Sequence, residues 1–507
     1  MTFAKTLFAG AALIALSVAA PAQSPSPELG KLARLGTVHE RYQAYNVEMV
    51  EVTGGRFWAP YGGPADERYR QRPPIDLSDP RLIALARGLG PSLMRVSGTW
   101  ANNTYLEAPG ERLSAPPPGF VQVLTRAQWQ NVVAFSKAVD APIVTSFAVS
   151  NGTRDATGAW TTVQAQRLLD LTRESGGTLY AAEFFNEPNV PTAAPEAPRQ
   201  YDAANYGSDF RIFRDWARKN VPEMLILGPG GVGEAGLLKD VPVANEFGTH
   251  VSTESMMQQN PNSVDAVSYH FYGSVSQRCL GLGIGTAQKA DALTARWLDL
   301  TSRDYDYYAA LRDKYEPGKP VWNTETAQAA CGGSPWAATF LDTFRYLNQN
   351  GALAQKGVQV VMHNTLAASD YALIDQDTLQ PRPNYWAAVL WQRTMGATVL
   401  AAPRSPSPAL RIYAHCLPQK QGGVGLVALN TGEAAQQLNL GGKATTWTMT
   451  GQPLDTREVL INGNKPGLAA NGELTGLAGT SVNGRLAIPG HAIAFAAVAG
   501  ANNPACR

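Results

Sequence analysis

YAAEFFNEP at 180–188 is a short apolar run that ends in a glutamate held between asparagine and proline, and PVWNTE at 320–325 repeats the plan. Each is too brief for a helix, rich in aromatic or β-branched residues and bounded by Gly, Pro or Asn, which marks a buried strand. Outward from these two, six further runs share the character: 45–50 (YNVEMV), 92–97 (SLMRVS), 142–149 (PIVTSFAV), 224–227 (MLIL), 265–272 (DAVSYHFY) and 358–363 (VQVVMH). Between them, residues 126–139, 162–174, 208–219, 287–315 and 336–350 carry apolar side chains at helical spacing. Strands alternating with helices predict a parallel sheet, and eight strands close an α/β fold of the (β/α)8 TIM-barrel type. An open doubly wound sheet needs a Gly-rich dinucleotide fingerprint after an early strand, and the sequence has none.

The pattern changes after Trp391. From residue 398 the chain is rich in Gly, Thr, Asn and Pro, with short alternating segments such as 425–429 (GLVAL), which predicts a C-terminal antiparallel β-sandwich domain. At the other end, Lys5, an apolar run over 7–20 and Ala20-Pro21-Ala22 read as a cleaved export signal. The expected organisation is a signal peptide over 1–22, an N-terminal segment over 23–44 that joins the β-sandwich, a catalytic barrel over 45–390 and the β-sandwich over 391–507. The protein is therefore expected to be secreted or periplasmic. Export makes Cys279, Cys331, Cys416 and Cys506 disulfide candidates, with about three pairings open to four cysteines.

The 42 basic and 41 acidic residues leave a net charge of +1, unlike the footprint of a nucleic-acid binder. Beyond the signal, no run reaches the length of about 18 apolar residues that a membrane span needs. Scattered histidines, with no C-x-x-C and no H-E-x-x-H, predict no metal and no cofactor. The Gly-rich stretch 228–233 lacks the Gly-Lys-Ser/Thr of a phosphate loop and reads as a turn after a strand; no G-x-S-x-G is present. A monomer is expected.

In a barrel, catalytic side chains stand at the C-terminal ends of the strands. Glu187 ends the fourth strand and Glu325 the seventh, so the two face each other across the mouth although far apart in sequence. Paired carboxylates are what glycosidic cleavage requires, one protonating the leaving oxygen and the other attacking the anomeric carbon. Glu187 reads as the acid/base and Glu325 as the nucleophile of a retaining enzyme.

Asn186-Glu187-Pro188 resembles the acid/base motif of the clan A glycosidases. More narrowly, the chain resembles glycoside hydrolase family 79, the heparanase and β-glucuronidase family. The matching stretches are 45–48 (YNVE), 85–99 (LARGLGPSLMRVSGT), 183–189 (EFFNEPN), Glu325-Thr326 with Gly332-Gly333, 370–375 (DYALID) and 384–386 (NYW). The resemblance implies a glucuronide-containing saccharide or glycoconjugate as substrate. It implies that Asn186 donates to the sugar 2-hydroxyl, that Glu48 and Thr99 line the glucuronide subsite, and that Tyr272 bonds the nucleophile. Tyr371 and the backbone of Gly332 would hold the substrate carboxylate. His270 shares its strand parity with Tyr272 and is a further candidate for the wall of the site.

The heparan-degrading members carry basic clusters after strands two and five. Here 228–240 (GPGGVGEAGLLKD) holds one Lys against two acids, and 101–128 holds only Arg112 and Arg126. An exo-acting β-glucuronidase on a single chain is therefore expected, with a heparanase-like endo-β-glucuronidase, an arabinofuranosidase or a non-catalytic carbohydrate-binding barrel as alternatives. Within the barrel, loops after neighbouring strands emerge side by side, which pairs Cys279 with Cys331. Cys416 and Cys506 fall in the β domain, and the mammalian family member implies their pairing.

Overall fold

The computed structural model describes residues 29–62, 67–198, 200–238, 244–245 and 248–507. The expected signal peptide, 1–22, lies outside the described residues, as does the start of the segment that follows it.

Eight parallel strands close a barrel in chain order. They are β1 (Gln43–Glu48), β2 (Met94–Ser97), β3 (Ile143–Thr145), β4 (Leu179–Glu183), β5 (Leu225–Val232), β6 (Ala266–Tyr272), β7 (Val321–Ala327) and β8 (Val360–His363). The interior is layered by the two-residue period of the strands. Its floor is apolar: Ala44, Val144, Ala181, Leu227, Ala266, Val360 and Met362 surround Trp322, small residues giving the indole room. Two residues further along, the same inward parity brings Asn46 on β1, Arg95 on β2 and Glu183 on β4, all buried. Two further again come Glu48 and, on β6, His270 and then Tyr272. An apolar floor thus carries a buried polar layer, and the site rests on that layer.

The strands do not keep perfect register near the mouth. Pairing shifts between Pro229 and Gly231, between Tyr269 and His270, and between Asn323 and Thr326. Such irregularities re-aim side chains. On β7 the shift lets consecutive residues both reach the interior, Thr324 bonding Glu183 and Glu325 bonding Arg95.

Several element bounds differ from the sequence reading. β1 stops at Glu48 and does not run on to Val50, because the Glu51 carboxylate accepts from the Glu48 N–H at 2.6 Å and turns Met49–Thr53 helical. The helix expected over 287–315 is two, Ala295–Leu298 and Leu300–Tyr315, and the one expected over 336–350 is Phe340–Gln355. A hairpin, Gly55–Trp58 with Tyr69–Arg72, follows β1 and was not expected.

Eight further strands form one antiparallel sheet, and the rest lie in short two-stranded pairs. Arg34–Thr37 pairs with Thr398–Leu400 at its edge, ahead of the barrel in sequence but beside the C-terminal strands in space. Alternation divides the sheet: Leu426 and Ala428 point into a core with Leu438, Leu486 and Ile488, so the sheet curls on itself in sandwich-like fashion. Val427 and Leu429 point the other way, into the cluster shared with the barrel helices Phe340–Gln355 and Pro383–Thr394. The disulfides join Cys279 to Cys331, across the loops after β6 and β7, and Cys416 to Cys506, closing 90 residues of the β domain. No helix among the described residues is long and apolar enough to cross a membrane.

Candidate active site

Glu325 is held from both sides. The Tyr272 hydroxyl donates to its Oε1 at 2.6 Å and Arg95 Nη1 donates to its Oε2 at 2.8 Å. Arg95 is fully buried and divides its guanidinium among several acceptors. Nε and Nη2 donate to Glu183 Oε2 at 3.0 and 2.8 Å, and Nη2 also reaches Asn186 Oδ1 at 2.8 Å. The cost of burying a cation is offset only where such partners surround it. Burial alone would raise Glu183, but Arg95, His270 and Thr324 outweigh it and hold that carboxyl well below the usual range. Arg95 and Glu183 are thus the fixed ion pair on which the site is built.

Glu187 follows β4 in the left-handed backbone region, at φ 50°. Its carboxylate meets His270 Nδ1 at 3.1 Å, and its side chain keeps 15% exposure against 6% for Glu325. An oxygen of Glu187 and an oxygen of Glu325 lie within 4.8 Å of each other and of the His270 ring nitrogen. Burial raises Glu187 above its ordinary value; the bond to His270 pulls the other way and the charge of Glu325 adds to the rise. Burial would lower His270, but Glu325, Glu183 and Glu187 together raise it to about 9. The imidazole is a cation at neutral pH, set among three carboxyls.

Beside this cluster stands a second polar group. Asn364 Nδ2 lies 3.0 Å from each of Glu48 Oε1, the Tyr272 hydroxyl and the Tyr371 hydroxyl. Burial, then the charge of Glu325, pushes Glu48 well above the carboxylate range and so favours its protonated form. Gly98 makes this possible: it sits at φ 96°, and a Cβ there would fall 1.6 Å from Glu48 Oε2. A cleft of about 970 Å³ opens above, lined by Glu48, Thr99, Glu187, Tyr272, Glu325 and Tyr371 among others. Asn186 and His270 lie beneath it, while Asn102 bonds both the N–H and the carbonyl of Asn186. Gly332 stands apart from the cleft lining, packed against Trp58 and Arg278, with its carbonyl accepting from the Asp370 N–H.

No family model matches the chain. It is 25% identical to heparanase-like protein 1 of Arabidopsis thaliana over 376 residues, covering 70% of this chain and 65% of that protein. It is 23% identical to the hyaluronoglucuronidase of the leech Hirudo nipponia over 479 residues, 85% of this chain and 92% of that one. The chain is thus similar to heparanase-like glycoside hydrolases over most of its length. A solved 4-O-α-L-rhamnosyl-β-D-glucuronidase from Fusarium oxysporum has the same fold, with a TM-score of 0.64 at 12% identity over 92% of this chain and 99% of that chain.

The sequence carried more signal than its strand-end rule extracts. Arg95 and Glu183 were missed as functional residues, yet each is a charge in an otherwise apolar strand, at the parity that faces inward. Asn364 was missed although it directly follows β8, where the same rule applies. Arg278 could not have been found. It donates to Ala59, Cys331 and Gly333 carbonyls, pairs with Asp370 and lies under the Tyr61 ring at 3.9 Å, so it ties together the loops after β1, β6, β7 and β8. Glu187, His270 and Glu325 are also the one set among the described residues with metal-like spacing. A protonated His270 and the Arg95 guanidinium beside it make that donor set inhospitable to a dication.

Proposed function

We propose that the chain is a retaining β-glucuronidase, exported and exo-acting, with Glu325 as nucleophile and Glu187 as acid/base. One observation carries the reading: carboxylate oxygens of Glu187 and Glu325 within 4.8 Å of each other. Retaining enzymes hold their carboxyls about 5–5.5 Å apart, whereas inverting ones leave about 6.5–9.5 Å for a water. Arg95 and Tyr272 fix Glu325 for attack on the anomeric carbon. Glu187, raised by burial and by Glu325, carries the proton for the leaving oxygen and removes one from water in the second step. Asn186, with its Oδ1 taken by Arg95, presents its amide nitrogen for the sugar 2-hydroxyl.

The sugar carboxylate would be read by neutral donors, the Tyr371 hydroxyl foremost, backed by Asn364. An endo-acting reading needs basic walls, but the cations among the described lining residues are Arg56, stacked over Tyr69, and Arg72, paired with Asp377. Two disulfides support an oxidising compartment. The test is hydrolysis of a panel of p-nitrophenyl β-glycosides, with the anomer of the first-formed product read by NMR. Preference for the glucuronide with a β-configured product is expected; an α product sinks the retaining assignment. Tyr371→Phe should lower the glucuronide-to-glucoside ratio of kcat/KM by about one to two powers of ten, the worth of one charge-assisted hydrogen bond or slightly more. An unchanged ratio would place carboxylate recognition elsewhere.

The electrostatics give a pH prediction. The bond from His270 lowers Glu187, so its loss lets Glu187 rise further. In His270→Gln the alkaline limb of the kcat/KM profile, which reports loss of the acid's proton from the free enzyme, should move to higher pH. A limb that stays put or moves down would show that His270 does not set the acid.

A further inference from the structure

We infer that the leaving-group side of the cleft is built for an apolar aglycone, so that the substrates are β-glucuronides of phenols or similar apolar alcohols and not internal links of a sulfated saccharide. The inference rests on the roles proposed for Glu187 and Glu325. The group that Glu187 protonates departs on its side, past the loops that follow β4, β5 and β6. The glycone lies the other way, towards Glu48, Asn364 and Tyr371 at the ends of β1 and β8.

The two sides differ in chemistry. Beyond Glu48 the cleft carries the polar side chains Arg56, Gln71 and Gln122 among apolar ones such as Trp58, Trp100 and Val123. Beyond Glu187 the wall includes Val190, Ala193, Val232, Leu237, Leu238 and Ile284, and apart from Glu187 itself no described lining residue from those three loops carries a polar side chain. Val190, Leu237 and Leu238 pack with Val232 and the Tyr272 ring in one apolar cluster, so the wall reaches the partner of the nucleophile itself. Val190, Leu237, Leu238 and Ile284 are only half-buried and keep apolar surface open to the cleft. A sugar here would leave hydroxyls without partners, at a cost for each polar group buried unpaired. A sulfate would find no cation among the described lining residues of this wall. An apolar group instead removes the half-buried surface from water.

The experiment compares phenyl, 4-butylphenyl and 4-(2-sulfoethyl)phenyl β-glucuronides, whose phenols have similar acidity, so that differences in kcat/KM report contacts and not leaving ability. The butyl compound is expected to be roughly tenfold better than the phenyl one, the gain from burying about two of its carbons. The sulfonate compound should show no gain. Leu237→Asn with Leu238→Asn should bring the butyl-to-phenyl ratio towards one. A ratio near one in the unaltered enzyme, or a sulfonate arm that outperforms the butyl arm, overturns the inference. Should the enzyme cleave phenyl β-glucosides and spare glucuronides, the glucuronidase reading fails alone, and the same ratio measured on that sugar still decides the aglycone.

Discussion

Glu325→Gln is expected to lower kcat/KM for aryl β-glucuronides by roughly four to six powers of ten while the protein stays folded. The amide keeps the shape of the side chain: its oxygen can accept from Arg95 while its NH2 donates to the Tyr272 hydroxyl oxygen, at the two positions the carboxylate oxygens held. Arg95 also keeps Glu183 through two hydrogen bonds, so no buried charge is orphaned, which would otherwise cost about 3–5 kcal/mol. The loss is therefore chemical: a carboxamide cannot form the glycosyl ester. A second consequence separates this from simple damage. Glu325 is the largest of the charges that raise His270 to about 9, so its neutralisation should lower the His270 pKa, readable as a shift in the titration of its ring resonances by NMR. Activity within tenfold of the parent would exclude Glu325 as nucleophile. An unmoved His270 titration would mean the imidazole answers chiefly to Glu183 and Glu187.

The barrel was legible because its strands are short, apolar and punctuated, and because Glu187 and Glu325 lie at the mouth ends of two of them. What the sequence hides is the layer below. Arg95 and Glu183 are 88 residues apart and meet only when β2 and β4 curve into one barrel, so neither declares a partner along the chain. Parity marks both as inward-facing, but parity on β7 misleads: Thr324 and Glu325 are neighbours that both reach the interior, by a register shift no periodic pattern announces. The raised pKa of Glu48 is hidden for the same reason. It follows from burial, from the charge of Glu325 and from a glycine, Gly98, whose missing Cβ leaves room for the carboxyl. The hairpin after β1 lies in a region where no strand was expected, since its second strand, Tyr69–Arg72, has two arginines and no apolar alternation.

Glu187→Ala should separate the two steps of the reaction. For a glucuronide of a poor leaving group both steps need Glu187, and kcat/KM should fall by about two to four powers of ten, the usual worth of a positioned acid. For 2,4-dinitrophenyl β-glucuronide the leaving group needs no proton, so glycosylation persists, while hydrolysis of the glycosyl enzyme lacks its base and becomes limiting. A burst of phenolate followed by slow turnover is expected. Azide should then restore turnover at least tenfold, since it attacks without losing a proton and enters the space the side chain vacates. That space is suited to an anion: His270 Nδ1 stood 3.1 Å from the missing carboxylate. The configuration of the product identifies which carboxyl was removed. With Glu325 intact, azide displaces the glycosyl enzyme from the opposite face and yields the β-glucuronosyl azide. If Glu187 were the nucleophile, azide would replace it on the substrate and yield the α-azide. Isolation of the α product from Glu187→Ala would exchange the roles of the two glutamates, and no azide adduct of either configuration, with full activity on poor leaving groups, would remove Glu187 from the chemistry altogether.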